Sequence, residues 1–189
     1  SLSFQNVKVV PFLGTPGVTQ VDSWDATTYS NTLATKVGNL LHCASYNLSA
    51  PMYVDGSKEK EMIEGIEEIS KVLQMAENAD IALIGIGSMQ KDSSILKAGI
   101  RTEEEYTELI QKGAVGEIVG RIYDKEGQVV DEDLRRKMIG ISTQQIKKIP
   151  VRVGISYGKD KVEAIKGAIK GEMINVLVTD ATTAEKLME

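Results

Sequence analysis

Cysteine and histidine are almost absent from this sequence of 189 residues, which holds one of each, Cys43 and His42. A single cysteine excludes a disulfide framework or a cysteine-based metal site within the chain. A free thiol favours a reducing compartment, and we expect the cytoplasm. A single histidine excludes multi-histidine metal sites. His42 ends a helical pattern and has no evident partner for proton transfer, so we interpret it as a helix-end or packing residue rather than a general base.

Positive charge is also in short supply. The chain has 22 lysines and arginines against 27 aspartates and glutamates, a formal net charge of −5. A surface of that sign repels phosphate backbones and anionic membranes, which disfavours a broad nucleic-acid-binding face or a membrane partner. It does not exclude a local pocket for one anion.

Long apolar runs are missing as well. The longest, Ile81–Ile86, is far shorter than the roughly 20 residues of a membrane-spanning helix. No charged and then apolar leader opens the sequence, which begins at Ser1 and soon becomes strand-like. We therefore expect a piece of a longer protein.

Strand-like and helix-like segments alternate along the chain, which predicts an α/β fold. The continuous apolar run from Asp80 stops at glycines, as is typical of a strand buried on both faces of a parallel sheet. We predict one Rossmann-like, doubly wound domain over residues 1–189 with a mostly parallel sheet. Its predicted strands or extended segments are Val7–Leu13, Ser49–Val54, Asp80–Gly87, Val151–Ser156 and Asn175–Thr179, and apolar residues at helical spacing occupy 29–41, 66–76 and 162–169.

Local signals fix several boundaries. Thr102 with Glu105, and Ser142 with Gln145, have the spacing of capping boxes and predict helices that begin one residue later. The first of these helices should carry Tyr106, Leu109 and Ile110 inward. Asp180 or Thr182 should cap the last helix.

A hairpin is predicted on the edge of the fold. The segments 117–123 and 128–130 flank Asp124–Gly127, whose residues favour a turn. In this strand pattern Glu117 is either a ligand for sugar hydroxyls or a surface residue, and Arg121 is interpreted as a surface charge.

Ligands of open parallel sheets bind beyond the carboxyl ends of the strands. That rule selects four small, polar or glycine-rich loops: Gly14–Gly17, Gly85–Met89, Tyr157–Lys161 and Asp180–Thr183. In the first loop, Thr15 can donate a hydroxyl and the glycines let backbone N–H groups approach a phosphate, although an ordinary turn explains the same residues. In the third, Lys159 and Lys161 precede a helix, where dipole and charge favour a bound anion; solvated lysines are the alternative.

Signals for catalysis are weak. No pair of carboxylates is placed at the distance needed for general acid–base chemistry. Ser88 lacks the surrounding glycines of a nucleophile elbow. The acidic clusters 103–105 and 131–133 are interpreted as solvated helix starts. We predict no catalytic residue, metal ligand or cofactor.

Six segments, taken together and in order, resemble the sugar-binding effector domain of the SorC family of bacterial transcriptional regulators. The similarity extends over most of the chain and is densest from Ala79 onward. The segments are Ser49–Pro51, Asp80–Gly87, Gly113–Asp124, Gly140–Ser142, Lys161–Ile165 and Asn175–Ala184.

The resemblance implies the fold of sugar-phosphate isomerases, glucosamine-phosphate deaminases and CoA transferases, with the enzyme activity lost. It implies that a phosphorylated sugar modulates DNA binding and oligomerisation of the full-length protein, a dimer or tetramer that contacts operator DNA through an N-terminal domain absent from this chain. By position, the implied ligand residues are Gly14, Thr15, Pro16 and Gly17 at the phosphate, Glu117 at a sugar hydroxyl, Lys161 facing a phosphate, and Gly85, Gly87, Tyr157 and Gly158 in the pocket wall.

Two features depart from the family pattern. The phosphate loop continues into a longer stretch, Val18–Ser23, and Tyr157 stands where a glycine is usual. Two other functions stay open at this point. One is a sugar-phosphate isomerase or deaminase of the same fold, against which the lack of Asp or His directly after Gly87 argues. The other is a dimerisation body with an incomplete pocket.

Overall fold

The computed structural model describes residues 6–17, 26–90, 93–97 and 99–189. The stretch Val18–Ser23, one of the two departures from the family pattern, lies outside these ranges. Within them the strands are β1 (Lys8–Val9), β2 (Ala44–Ser45), β3 (Ile81–Gly85), β4 (Gly87–Ser88), β5 (Ala114–Ile118), β6 (Arg121–Asp124), β7 (Val151–Ile155) and β8 (Val176–Val178). The α-helices are α1 (Ser30–Leu41), α2 (Ser57–Glu64), α3 (Glu67–Glu77), α4 (Ser94–Lys97), α5 (Glu103–Gln111), α6 (Glu132–Lys137), α7 (Thr143–Ile146), α8 (Val162–Lys170) and α9 (Ala181–Met188).

The chain divides into two compact units. The first comprises Ser1–Asn78 with Arg136–Ile141, and the second comprises Ala79–Arg135 with Ser142–Glu189. That residues 1–189 act as one effector domain stays a prediction.

In the first unit, β1 and β2 form a short parallel pair against which α1 packs. The strand predicted over Val7–Leu13 is shorter than expected, because only Lys8–Val9 pairs with β2 and Leu13 forms an isolated bridge with Gly140. The helix predicted from Tyr29 is confirmed. It ends at His42, which caps it in the left-handed conformation with φ 53°, so the helix-end interpretation of His42 is confirmed.

The second unit contains a parallel sheet with strand order β3-β7-β8. Alternation along β3 is strict: Ala82 and Ile84 are buried, whereas Ile81 and Leu83 are 59% and 56% exposed. The described part of the chain covers only one face of this strand, so the prediction that it is buried on both faces is wrong for that part.

A separate antiparallel sheet, β4-β5-β6, corrects the hairpin prediction. The segment 117–123 is not one strand, because Val119 and Gly120 form a tight turn with φ 49° and 67° and the chain folds back on itself there. Nothing local signals this turn, since a β-branched residue rarely adopts positive φ. Arg121 is 2% exposed and donates from Nη1 to the Val119 carbonyl (2.8 Å), so the interpretation as a surface charge is wrong.

The predicted turn at Asp124–Gly127 is confirmed. Gly127 donates its N–H to the Asp124 carbonyl (2.8 Å), and the Asp124 carboxylate accepts from the N–H groups of Glu126 and Gln128. Val130 then pairs with Ile122 on β6.

Both capping boxes are confirmed, with reciprocal bonds between Thr102 and Glu105 and between Ser142 and Gln145. In α5, Tyr106 and Leu109 are buried, but Ile110 is 43% exposed, which corrects its predicted inward position. Among the residues described, no helix combines the length and apolarity required to cross a bilayer.

Tyr123 ties β6 to α8, since its buried hydroxyl donates to the Ala164 carbonyl at 2.8 Å. Burial raises the pKa of Tyr123 far above its usual value, and the negative charge of Glu117 raises it further.

A dependence of stability on alkaline pH follows. Because the folded-state pKa of Tyr123 is raised, its contribution is fully present below the unfolded-state pKa of about 10 and is lost as the pH rises beyond it. We expect Tyr123 to lower the free energy of unfolding by up to about 1.4 kcal/mol per pH unit in that range. Urea unfolding between pH 9 and 11.5 should show this slope in the parent and a shallower one in Tyr123→Phe. Equal slopes would contradict the assignment.

Candidate functional site

The predicted ligand residues fall into two groups, one in each unit. Gly14, Thr15, Pro16 and Gly17 belong to the first unit, and Gly85, Gly87, Glu117, Tyr157, Gly158 and Lys161 belong to the second.

The loop of the first unit is already held by backbone pairing. Gly14 donates its N–H to the Ile139 carbonyl (3.1 Å), and Thr15 donates to the Ala50 carbonyl (2.9 Å). A side chain at position 14 would collide with backbone, since a Cβ there would lie 2.3 Å from the Pro51 oxygen. The predicted use of the Gly14 and Thr15 backbone N–H groups as phosphate donors is thus not supported.

The Thr15 hydroxyl remains a candidate donor, and Asn31 orients it. Asn31 Nδ2 donates to Thr15 Oγ1 (2.8 Å) and to the Leu48 carbonyl (3.1 Å), while Asn31 Oδ1 accepts the Leu48 N–H (2.8 Å). Because the hydroxyl oxygen is accepting, its own proton can be donated to a ligand. Sequence reasoning missed Asn31, which looked like an ordinary polar residue in the first turn of α1.

Removal of the Asn31 amide should therefore be costly. In Asn31→Ala the backbone N–H of Leu48, a residue with no exposed surface, loses its partner, whereas the Leu48 carbonyl still accepts the Ala50 N–H (2.9 Å). We expect a loss of about 2–4 kcal/mol in the free energy of unfolding, because the unpaired N–H costs about 1–3 kcal/mol and the two hydrogen bonds that the Asn31 amide donates are lost as well.

Thr15→Val is the matched control for that measurement. It removes only the bond between hydroxyl and amide, and should cost about 1 kcal/mol. If chemical denaturation gave equal losses in the free energy of unfolding for the two variants, the stabilising role of the hydrogen bonds between Asn31 and Leu48 would be contradicted.

A shallow polar depression adjoins Asn31 on the surface of the first unit. Lys36 stands at it, with its ammonium donating to the Thr27 carbonyl (3.2 Å). The depression is lined by Asn31, Thr32, Thr35, Lys36, Asn47 and Ser49.

In the second unit, three of the four predicted loops follow strands of one parallel sheet, as the topology rule requires: Gly85–Met89 follows β3, Tyr157–Lys161 follows β7 and Asp180–Thr183 follows β8. Side chains cross-link these loops. Ser156 Oγ donates to the Ile86 carbonyl (3.0 Å), and Ser88 Oγ donates to Asp160 Oδ2 (3.3 Å).

Gly158 needs to be glycine and is anchored. Its φ of 110° is a conformation that other residues rarely adopt. Its N–H is shared between Asp180 Oδ2 (3.2 Å) and Thr183 Oγ1 (2.9 Å), so this turn is anchored to the first turn of α9. The Thr183 hydroxyl, with help from backbone N–H groups, holds the pKa of Asp180 below its usual value, which keeps this anchor ionised.

The two predicted glycines around β4 have different surroundings. Gly87 lies opposite Glu117 in the register of β4 and β5, and a Cβ at position 87 would lie 3.3 Å from Glu117 Oε2. Glycine there makes room for the carboxylate. A Cβ at Gly85 would meet nothing within 4 Å, because that position is on the uncovered face of the sheet.

Lys161 and Tyr157 lie at the start of α8. Lys161 is the residue that precedes the first turn of α8, and its ammonium lies 3.8 Å from Asp160 Oδ2, a loose ion pair. Positive charge at the start of this nine-residue helix adds to the helix dipole in favouring an anion. Tyr157 is 75% exposed.

Comparison with known proteins identifies the family. The family profile described as "Putative sugar-binding domain" matches residues 1–189. The transcriptional regulator LsrR of Escherichia coli O139:H28 (strain E24377A / ETEC) is 37% identical over 158 residues, which are 82% of this chain and 50% of that regulator. The chain belongs to the sugar-binding domain family of SorC-type transcriptional regulators.

Solved structures agree with this assignment of the SorC-type domain. The full-length sorbitol operon regulator SorC from Klebsiella pneumoniae superposes with a TM-score of 0.89 at 28% identity, covering 100% of this chain and 60% of that one. A DeoR family transcriptional regulator from Listeria monocytogenes gives 0.86 at 25% identity, covering 98% and 71%. The predicted Rossmann-like α/β fold is confirmed. This SorC-type chain spans about half the length of the curated relatives it matches.

Four residues of the SorC-type domain were not predicted as ligands but contact the predicted ligand residues or their neighbours. The hydroxyl of Ser88 contacts Asp160, Asp160 pairs with Lys161, and Asp180 with Thr183 holds Gly158. All four lie in or beside the predicted loops, so strand topology located the region although it could not assign their contacts.

Proposed function

We propose that this SorC-type domain is the effector-sensing part of a bacterial regulator of carbohydrate metabolism and that its effector is a phosphorylated sugar. The observation that carries the proposal is that the second unit contains both a hydrogen-bond acceptor for sugar hydroxyls and a cation for a phosphate. Glu117 supplies a carboxylate that can accept hydrogen bonds from sugar hydroxyls, and Lys161 supplies a cation beside the start of α8. Family membership of the whole chain supports the same assignment.

A phosphate is favoured over a neutral group because of Lys161. The net charge of −5 gives the chain no general attraction for anions, so an anion must be bound by local charge. Asp160 competes for Lys161 at 3.8 Å. A phosphate dianion carries more charge and more acceptor oxygens than this carboxylate, so it can displace it from the ammonium.

Effector binding to the domain is proposed to change the conformational equilibrium of the complete protein. We infer that the effector binds one state of a homo-oligomer more tightly than another and thereby alters its affinity for operator DNA, which a domain outside these 189 residues contacts. Such a regulator acts in the cytoplasm. The LsrR and SorC relatives, described as a transcriptional regulator and an operon regulator, support this role.

An isomerase or deaminase is less well supported. Ser88, not an acid or base, follows Gly87, and its hydroxyl donates to Asp160. The domain is therefore proposed to sense its ligand without converting it.

Calorimetry with the full-length protein tests the proposal. Pentose and hexose phosphates are titrated alongside the same sugars without phosphate, and each binder is then added to an operator-binding assay. We expect heat only from phosphorylated members and a changed affinity for DNA. Equal binding of a free sugar would refute the phosphate requirement, and turnover of glucosamine 6-phosphate or ribose 5-phosphate would favour the enzyme. If no ligand binds while sedimentation shows a stable dimer, the chain is a dimerisation body.

A further inference from the structure

Tyr157 exposes an aromatic ring at the carboxyl edge of the parallel sheet in the second unit. It begins the loop that follows β7, and the residue is 75% exposed. A tyrosine that is exposed to this degree buries little of its apolar ring, so packing within the described chain does not explain the ring. A sugar has an apolar C–H face as well as hydroxyls, and neither Glu117 nor Lys161 offers that face a partner.

The backbone on both sides of Tyr157 is held in place. Before it, the Ser156 hydroxyl donates to the Ile86 carbonyl at 3.0 Å. After it, the N–H of Gly158 is bound by two side chains at the start of α9. Because an aromatic side chain has only two torsion angles, a fixed backbone leaves its ring few positions. The ring is therefore presented at a defined place.

Two glycines leave space beside this ring. Gly85 pairs with Ile155 in the register of β3 and β7. Two residues further along these segments stand Gly87 and Tyr157, and a spacing of two keeps side chains on one face of a sheet. A Cβ at position 85 would meet nothing within 4 Å, and one at position 87 would lie 3.3 Å from Glu117 Oε2. The ring thus adjoins a space without side chains, which the Glu117 carboxylate borders.

The cation of the proposed site belongs to the same turn as the ring. Lys161 donates its backbone N–H to the Gly158 carbonyl (3.0 Å), which closes a tight turn directly after Tyr157. Lys161 also precedes the first turn of α8. A phosphate bound at Lys161 therefore places the sugar that carries it next to the aromatic ring.

We propose that Tyr157 is a specificity-determining residue that selects the closed-ring form of a sugar phosphate. The negative face of the aromatic ring attracts the weakly positive C–H groups on one side of a furanose or pyranose. The hydroxyls of the sugar then project towards Glu117, and its phosphate binds Lys161. An open-chain sugar presents no flat C–H face, and ordering its rotatable bonds costs additional entropy. This inference rests on the proposed function, because it concerns the same effector site.

Ligands that are locked in the closed or the open form test the inference in the full-length protein. One pair is 1,5-anhydroglucitol 6-phosphate with glucitol 6-phosphate, and the other is 1,4-anhydroribitol 5-phosphate with ribitol 5-phosphate. By calorimetry we expect the closed member of at least one pair to bind about tenfold more tightly than the open member, the order of magnitude of an aromatic contact. Equal affinities within both pairs, or tighter binding of the open members, would overturn the inference.

Two variants assign the preference to the ring of Tyr157. Tyr157→Leu removes the aromatic face and should reduce the preference for the closed member to about twofold or less, whereas Tyr157→Phe keeps the face and should keep the preference. Because residue 157 is exposed, both variants should unfold at the urea concentration of the parent. A preference that persists in Tyr157→Leu, or an equal loss of affinity for both members, would refute the role of the ring.

The outcomes also separate this inference from the proposed function. If sugar phosphates bind without any preference for the closed form, the sensing role stands and the role of Tyr157 fails. If no sugar phosphate binds, both fail. The comparison of the two pairs in the parent needs no variant, so it decides the matter even where a substitution prevents folding.

Discussion

Replacement of Asp131 by alanine is expected to lower the free energy of unfolding by about 3–5 kcal/mol, the cost of removing one partner from a buried ion pair. Arg101 binds Asp131 through two parallel bonds of 2.8 Å, from Nε to Oδ2 and from Nη2 to Oδ1. Their side chains are only 8% and 6% exposed. Asp131 Oδ1 also accepts the Leu134 N–H (3.0 Å), so the variant loses a hydrogen bond in the first turn of α6 too.

In this variant Arg101 keeps only the exposed Asp133 as an ionic partner, and it cannot escape the cost by deprotonation. Its hydrogen bond to Asp131 raises the pKa of Arg101 beyond an already high value, and even the ordinary value keeps the guanidinium charged at any usable pH. Asp131→Ala thus leaves a buried charge.

Asp133→Ala provides the control within the same cluster. Asp133 accepts from the same Arg101 nitrogen at 3.0 Å but is 56% exposed, so its loss should cost less than about 1 kcal/mol. A double variant, Arg101→Met with Asp131→Leu, should regain much of the stability lost in Asp131→Ala, because no buried charge is left unpaired. Urea denaturation of the four proteins measures all three differences. A loss below 1 kcal/mol in Asp131→Ala would contradict the buried-pair assignment.

Asp131 also shows where sequence interpretation fails. The run 131–133 looked like a solvated helix start, and Asp133 fits that description. Asp131 does not, because its partner Arg101 lies 30 residues away and no local pattern reports such a contact. Long-range pairing decided burial here, against the ordinary preference of carboxylates for the surface.

Elements with local signals were predicted well. The helices after Thr102 and Ser142 begin where their capping boxes place them. The turn at Val119 was missed for the opposite reason, since valine is disfavoured at positive φ and only the surrounding pairing of β5 with β6 holds it there.

The apolar pattern of β3 is a different kind of disagreement. Its sequence predicts burial on both faces, yet Ile81 and Leu83 are exposed. An apolar run reflects the preference of parallel strands for two covered faces, whereas the exposure of its side chains depends on which elements pack against the sheet.

The candidate site was predictable to the level of loops. Strand topology selected the three loops that follow β3, β7 and β8. Which groups within a loop can meet a ligand depends on bonds that no pattern shows: the N–H of Thr15 is used by Ala50, and the N–H of Gly158 is used by Asp180 and Thr183. The side chains of Thr15, Glu117 and Lys161 remain the predicted contacts.

Lys161→Met is expected to weaken the binding of a sugar phosphate by about 10–100-fold, since a hydrogen bond to a charged group contributes about 1.5–3 kcal/mol. Methionine keeps the length and apolar stem of lysine and removes only the charge. Lys159→Met is the matched control, because Lys159 is exposed two residues away on the same turn and its loss changes the net charge equally. We expect it to change affinity less than about threefold, as a screened surface charge does.

The comparison of these two variants separates a specific contact from general electrostatics. If Lys161 contacts the phosphate, calorimetry should show a large loss for Lys161→Met at both low and moderate salt, while the small effect of Lys159→Met disappears as salt is added. Asp160→Asn should change affinity in the opposite direction, because it removes the carboxylate that competes for Lys161 at 3.8 Å. Equal losses in the two lysine variants, or weaker binding by Asp160→Asn, would contradict the role of Lys161. The sign of the Asp160 effect is decisive here, because a purely structural role for the ion pair predicts a loss in both.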